Sequence, residues 1–271
     1  MRPNGKPADG RAGLGLGNRS LRYAIFTYFR KASGKEQERI VMNHMIDTKI
    51  DYKNNGLLMN LWRLRQALDV YCLISANATG ISRRGGRWNF FGFLRTACVH
   101  LIAHDICKLF EKERYKREKV KYELNSIDGV LRSLARDKPN VLNTVTIDSF
   151  VLKYDPGQDE HGTLSPPDNN IEKLSRAVDN FKKKYHTELE RFKTFRDKWA
   201  AHSESSFTPG DLPSFDIMER LFNFGMDFYM LVSEAFIGVG PLNLNADRRV
   251  KASLKGVLKA LGIEEIRMEM E

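Results

Sequence analysis

Arg196 and His202 carry the clearest chemistry in this chain, in the run Arg196-Asp197-Lys198-Trp199-Ala200-Ala201-His202. Arginine is a permanent cation whose planar fork matches a phosphate. Histidine takes and gives a proton near neutral pH. Placed together at one helix end, the two suffice to cut RNA without a metal. One group stabilises charge on the phosphate while the other moves a proton. The alternative involves no chemistry at all. A His near a helix C-terminus is favoured by the macrodipole, and Arg196 can pair with Asp197 or another neighbour.

The element that must position this pair is a helix predicted over 170–201. Leu174, Val178, Phe181, Tyr185, Leu189, Phe192, Phe195 and Trp199 step by three and four along one face, which is a core stripe. At roughly 100° per residue, Arg196 falls on one flank of that stripe and His202 on the other, about 120° away. A straight helix therefore does not bring them together. The helix must end or bend near Ala201, or a second copy of the chain must complete the site. Ser203 and Pro209 favour an end there.

The rest of the chain predicts an all-α bundle with main helices near 57–78, 89–118, 170–201 and 214–237. A further helix is expected over 126–136 with Ser126 as its cap, and a basic amphipathic helix over 248–261. Gly80 to Gly86 reads as a loop, and 153–168 as another. Val141 to Leu152 alone has the composition of a strand, and one segment makes no sheet. Residues 1–19, rich in Gly and Arg, read as a disordered basic arm. The domain organisation is thus an arm (1–19), a helical body (20–240) and a basic C-terminal helix or tail (241–271).

The 271 residues are 42% hydrophobic and 29% charged, with a net charge of +10, and the pI is about 9.5. That balance fits a globular protein whose partner is a polyanion, with nucleic acid ahead of an acidic membrane surface. No run reads as a membrane span or signal peptide, so the cytosol is the expected compartment, with no membrane partner. Cys72, Cys98 and Cys107 fall in apolar helical segments and read as reduced core thiols. Asn77-Ala78-Thr79 matches a glycosylation sequon, which carries no meaning without a secretory signal.

Two other constellations bear on function. His100, His104, Cys107 and Glu111 share one helical stripe, and His-x3-His is a weak zinc candidate. The plain reading is a semi-buried polar stripe near Asp105 and Arg95. Arg83-Arg84-Gly85-Gly86-Arg87-Trp88 joins cations to an aromatic, so Arg83, Arg84 and Arg87 can meet phosphate and Trp88 can stack on an unpaired base. Lys198 inside the main motif is a further candidate RNA contact. Lys182-Lys183-Lys184 reads as a solvated face.

The stretch Phe195-Arg196-Asp197-Lys198-Trp199-Ala200-Ala201-His202-Ser203 resembles the Arg-x(4–6)-His motif of the HEPN superfamily, and most of all the abortive-infection type U group. The order of Asn89-Phe90-Phe91, Asp105 to Phe110, Asn125-Ser126-Ile127 and an apolar helix after Phe215 is similar too, and extends the resemblance over about 55–237. It implies a HEPN-like four-helix bundle with extra helices and a homodimer whose two motifs meet in a cleft between subunits. It also implies endoribonuclease activity without metal or other cofactor. Arg196 would hold the scissile phosphate and His202 would move the proton to or from the ribose 2′-OH or the leaving oxygen. Asp197 would orient Arg196 or His202, and Asp105 is a candidate for the cleft rim. A toxin or phage-defence effector, with an antitoxin protein as partner, is the implied biology. Glu204 stands where some members carry a modified Tyr, so control by that modification is not implied. The alternatives are a bundle that binds RNA or protein without cutting, and a His-based metal-dependent hydrolase.

Overall fold

The structure, a computed structural model, describes residues 50, 56–83, 88–112, 125–156, 170–200, 212–238, 240, 244, 249–263 and 266–268. Every regular element among them is helical: α1 (Leu57–Ala76), α2 (Ala78–Arg83), α3 (Trp88–Phe110), α4 (Ile127–Asp137), α5 (Thr144–Tyr154), α6 (Asn170–Lys184), α7 (His186–Thr194), α8 (Phe215–Val232) and α9 (Arg249–Ala260), with π-helical turns at Phe195–Ala200 and Ser233–Ile237. The all-α expectation is met. The expected basic arm at 1–19 lies outside the described residues.

Helix α1 is the centre of the bundle. Its most extensive packing is against α3, and α8 and α9 also lie on it. Leu57, Leu61, Leu64 and Leu68 are fully buried, which the three-and-four spacing dictates. Helix α8 comes in close at Gly225, where an added Cβ would sit 2.9 Å from a Leu61 methyl and 3.4 Å from one on Leu109. A side chain there would push α8 away from both α1 and α3.

Asn77 ends α1 and does more than cap it. Its Nδ2 donates to Leu73 O and to Arg267 O, each at 2.8 Å, while its Oδ1 accepts from Arg267 N at 3.0 Å. The side chain of the apparent sequon is buried and fastens the C-terminal segment to α1. A second apolar cluster, with Leu73, Ile81, Phe91, Leu258 and Ile263, holds α9 and that segment in place.

Three expectations need correction. Of the loop expected over Gly80 to Gly86, residues 80–83 instead belong to α2, because Ile81 is buried in that second cluster; residues 84–86 lie outside the described residues. Val141 to Leu152 is not strand-like: Asn143 caps Thr146 N at 3.3 Å, and Ile147, Phe150 and Val151 point inward from α5. The helical spacing of three buried positions outweighs β-branched composition, whose preference depends on context. The helix expected to continue to 118 stops at Phe110.

Helix α3 also qualifies the membrane expectation. Over Asn89–Phe110 it is long and apolar enough to cross a bilayer, at a mean hydropathy of 1.2. It is the helix on which α1 and α7 pack. Its inner face carries the fully buried carboxylate Asp105, which accepts from Arg63 Nη2 at 2.6 Å and Nε at 3.3 Å.

Behind the end of α3 lies an aromatic core. Phe181 of α6 stacks on Phe224 of α8 with centroids 3.7 Å apart, and Phe110 of α3 stacks on both at about 6 Å. Tyr154 of α5 closes the group edge-on to Phe181 and Phe224. Burial, then its hydrogen bond to Asp227, pushes the Tyr154 phenol above its ordinary range. This packing fixes the end of α3 against α6, which the site below depends on.

Candidate functional site

The expected single helix over 170–201 is three pieces. Tyr185 (φ −106°, ψ 24°) breaks it into α6 and α7. Phe195 then opens a π-helical turn that runs to Ala200. A π turn holds more residues than an α turn and is common at functional sites. The wheel that sets Arg196 and His202 about 120° apart assumes a straight α-helix, so it does not hold across this turn. His202 itself lies outside the described residues.

The buried side of the three pieces is as the stripe predicts: Leu174, Val178, Phe181, Tyr185, Phe192 and Phe195 are all buried. Phe195 packs against the His100 ring of α3, with centroids 5.4 Å apart. Partial burial lowers the His100 pKa below its ordinary value of 6.5.

Arg196 sits beside that anchor, half-buried. Its Nε donates to Asp197 Oδ1 at 2.8 Å, and its Nη1 stands 4.0 Å from Glu111 Oε1 just past the end of α3. Burial pulls the guanidinium down. The hydrogen bond to Asp197 and the nearby negative charges, including Glu111, outweigh it and hold the group above its ordinary value. Arg196 is thus a fixed cation with one edge tethered to Asp197 and its outer nitrogen near the Glu111 carboxylate. Lys198, two residues on, is exposed.

Arg196 lines a cleft of about 650 Å³ between the end of α3 and the outer face of α6–α7. Cys107, Phe110 and Leu189 supply its apolar lining, and its charged lining combines Arg196 and four lysines with Glu111, Asp179 and Glu190. His186 also faces it. Burial, the largest influence, pushes the Cys107 thiol up to about 12, so it is neither a nucleophile nor a ready ligand at neutral pH.

The sequence reading misses most of this cleft. Asp179, Lys183, His186, Glu190, Lys193 and Arg196 follow one another at intervals of three and four. They form a polar stripe beside the apolar one, and that spacing is the signal that would have found it. Lys182-Lys183-Lys184 is not one solvated face. Lys182 donates to both Asp128 oxygens, at 2.7 and 2.9 Å, Lys182 and Lys183 both line the cleft, and Lys184 lies over the Tyr185 ring.

The other candidates separate. Among the described residues no group of three His, Cys, Asp or Glu side chains is placed to hold a metal. His100 meets Phe195, His104 is half-exposed with Nδ1 3.2 Å from Asp105 Oδ1, and Glu111 turns to Arg196. Asp105 is fully buried on Arg63, so it is a core carboxylate rather than part of a cleft rim. Arg95 stacks over Tyr71. Arg83 ends α2 and is exposed, Trp88 opens α3, and Arg84 and Arg87 lie outside the described residues. Trp88 and Cys107 are at opposite ends of α3, about 30 Å apart at ~1.5 Å per residue. The start of α3 and the Arg196 cleft are therefore separate zones. No family model, curated protein or solved structure matches the chain.

Proposed function

We propose that the chain is a HEPN-type, metal-independent endoribonuclease that works as a homodimer. The observation that carries this reading is Arg196. It is held on a π turn by Asp197 and opens onto a lysine-lined cleft in an all-helical protein of net charge +10. Arg196 binds the scissile phosphate through its fork and stabilises the charge that grows on it. His202 moves the proton. In the cutting step the ribose 2′-oxygen forms a bond to phosphorus as its proton is taken up by a base, the P–O5′ bond breaks, and the departing 5′-oxygen receives a proton. The products are a 2′,3′-cyclic phosphate and a 5′-hydroxyl. Asp197 is the positioning residue for Arg196. A second subunit brings a second motif to the same cleft, which removes the need for one helix to carry both groups on one face. A cytosolic toxin or defence role, with an antitoxin as partner, follows from the same family reading.

The test is incubation of the purified full chain with total RNA, with and without EDTA. Cleavage that survives EDTA and disappears in both Arg196→Ala and His202→Ala supports the reading. Cleavage abolished by EDTA assigns the activity to a metal. Salt-sensitive RNA binding without any cleavage makes the chain a binding module instead.

A further inference from the structure

The geometry points to the cleft beside Arg196 as a subsite for one unpaired ribonucleotide, its base on the Phe110–Leu189 floor and its phosphate at the lysine rim; this rests on the reading of Arg196 as an RNA-contacting group. Three observations carry it. The volume, about 650 Å³, falls in the range of sites that enclose a small ligand. The floor is apolar, with Cys107 and Phe110 buried and Leu189 half-buried, and Phe110 is held rigid by its stacking on Phe181 and Phe224. Such a floor suits a base face and offers nothing to phosphate.

The rim supplies the opposite chemistry. Four lysines and Arg196 line the cleft against three carboxylates, Glu111, Asp179 and Glu190, so cations outnumber anions there. Lys182 also lines the cleft but is bound to Asp128 at 2.7 Å. Lys193 is bridged to Glu190 at 3.0 Å on the surface, a contact weak enough for a phosphate to displace. A base reaches the floor only if it is free of its pairing partner, so the cleft selects single strands over duplex.

The experiment uses the full chain carrying His202→Ala, so that bound RNA stays intact. Fluorescence anisotropy measures binding of a labelled single-stranded RNA decamer and of the same decamer as a duplex. The single strand is expected to bind at least tenfold tighter than the duplex. Lys183→Glu, on an exposed side chain, and Leu189→Glu each weaken single-strand binding at least fivefold. Lys259→Glu on α9 makes the same charge change as Lys183→Glu and shifts it less than twofold. Equal binding of single strand and duplex overturns the subsite, as does a Lys259→Glu effect equal to that of Lys183→Glu, or no binding at all. The two readings fail separately. If the unmodified chain cuts RNA and Lys183→Glu leaves cutting and binding intact, the subsite is wrong and the nuclease stands. If the chain never cuts but the binding pattern holds, the subsite stands and the nuclease reading falls.

Discussion

The Nη1 of Arg196 stands 4.0 Å from Glu111 Oε1, while the Nε of the same guanidinium is bound to Asp197. The two carboxylates differ in role. Asp197 is the adjacent residue and tethers one edge of the fork. Glu111 comes from past the end of α3, is 41% exposed in its side chain, and stands where the proposed phosphate would meet Arg196.

Glu111→Gln should therefore bind single-stranded RNA about two- to fivefold tighter than the unmodified chain, the scale of an exposed ion pair. Titration of a labelled oligonucleotide at fixed salt checks it. Unchanged or weaker binding would mean that Glu111 does not compete with the ligand.

Arg63→Ala is expected to destabilise the fold by about 3 kcal/mol or more, since it leaves the Asp105 carboxylate buried with His104 as its remaining partner among the described residues. Urea unfolding measures this. A loss below 1 kcal/mol would show that water reaches Asp105.

His100 makes stability depend on pH in a defined direction. Burial lowers its folded-state pKa below 6.5, so the unfolded chain binds the proton more readily. Above pH 6.5 the contribution is constant. As pH falls through 6.5 and then through the lower folded value, stability is lost, and below that value the loss is complete. Melting temperatures of the unmodified chain should fall between pH 7 and pH 5.5, and His100→Gln should flatten that fall. Parallel curves for the two proteins would assign the effect to other groups.

Asn77→Ala removes three hydrogen bonds, two of them to Arg267. A loss of about 1–3 kcal/mol is expected, the cost of unsatisfied buried partners. Amide exchange should accelerate at Arg267, whose N–H loses its acceptor, while exchange within α8 stays slow. Uniform acceleration across the bundle would show that Asn77 supports the whole core rather than the C-terminal segment.

What the sequence by itself determined is local. Ser126 accepts from Gly129 N at 3.2 Å as the cap of α4, and the apolar stripe from Leu174 to Phe195 faces inward, because cap and periodicity are written within one or two turns. The all-α class follows from the same signals. Even the polar stripe from Asp179 to Arg196 was present in the spacing. Only the tertiary structure decided what that stripe faces. The aromatic stack of Phe110, Phe181 and Phe224 brings the end of α3 to α6, and Glu111 with it to Arg196. The π turn at Phe195–Ala200, the break at Tyr185 and the helix at Thr144–Tyr154 likewise belong to packing. Contacts between residues far apart in the chain are set by how whole faces fit, and no short window of residues contains that information.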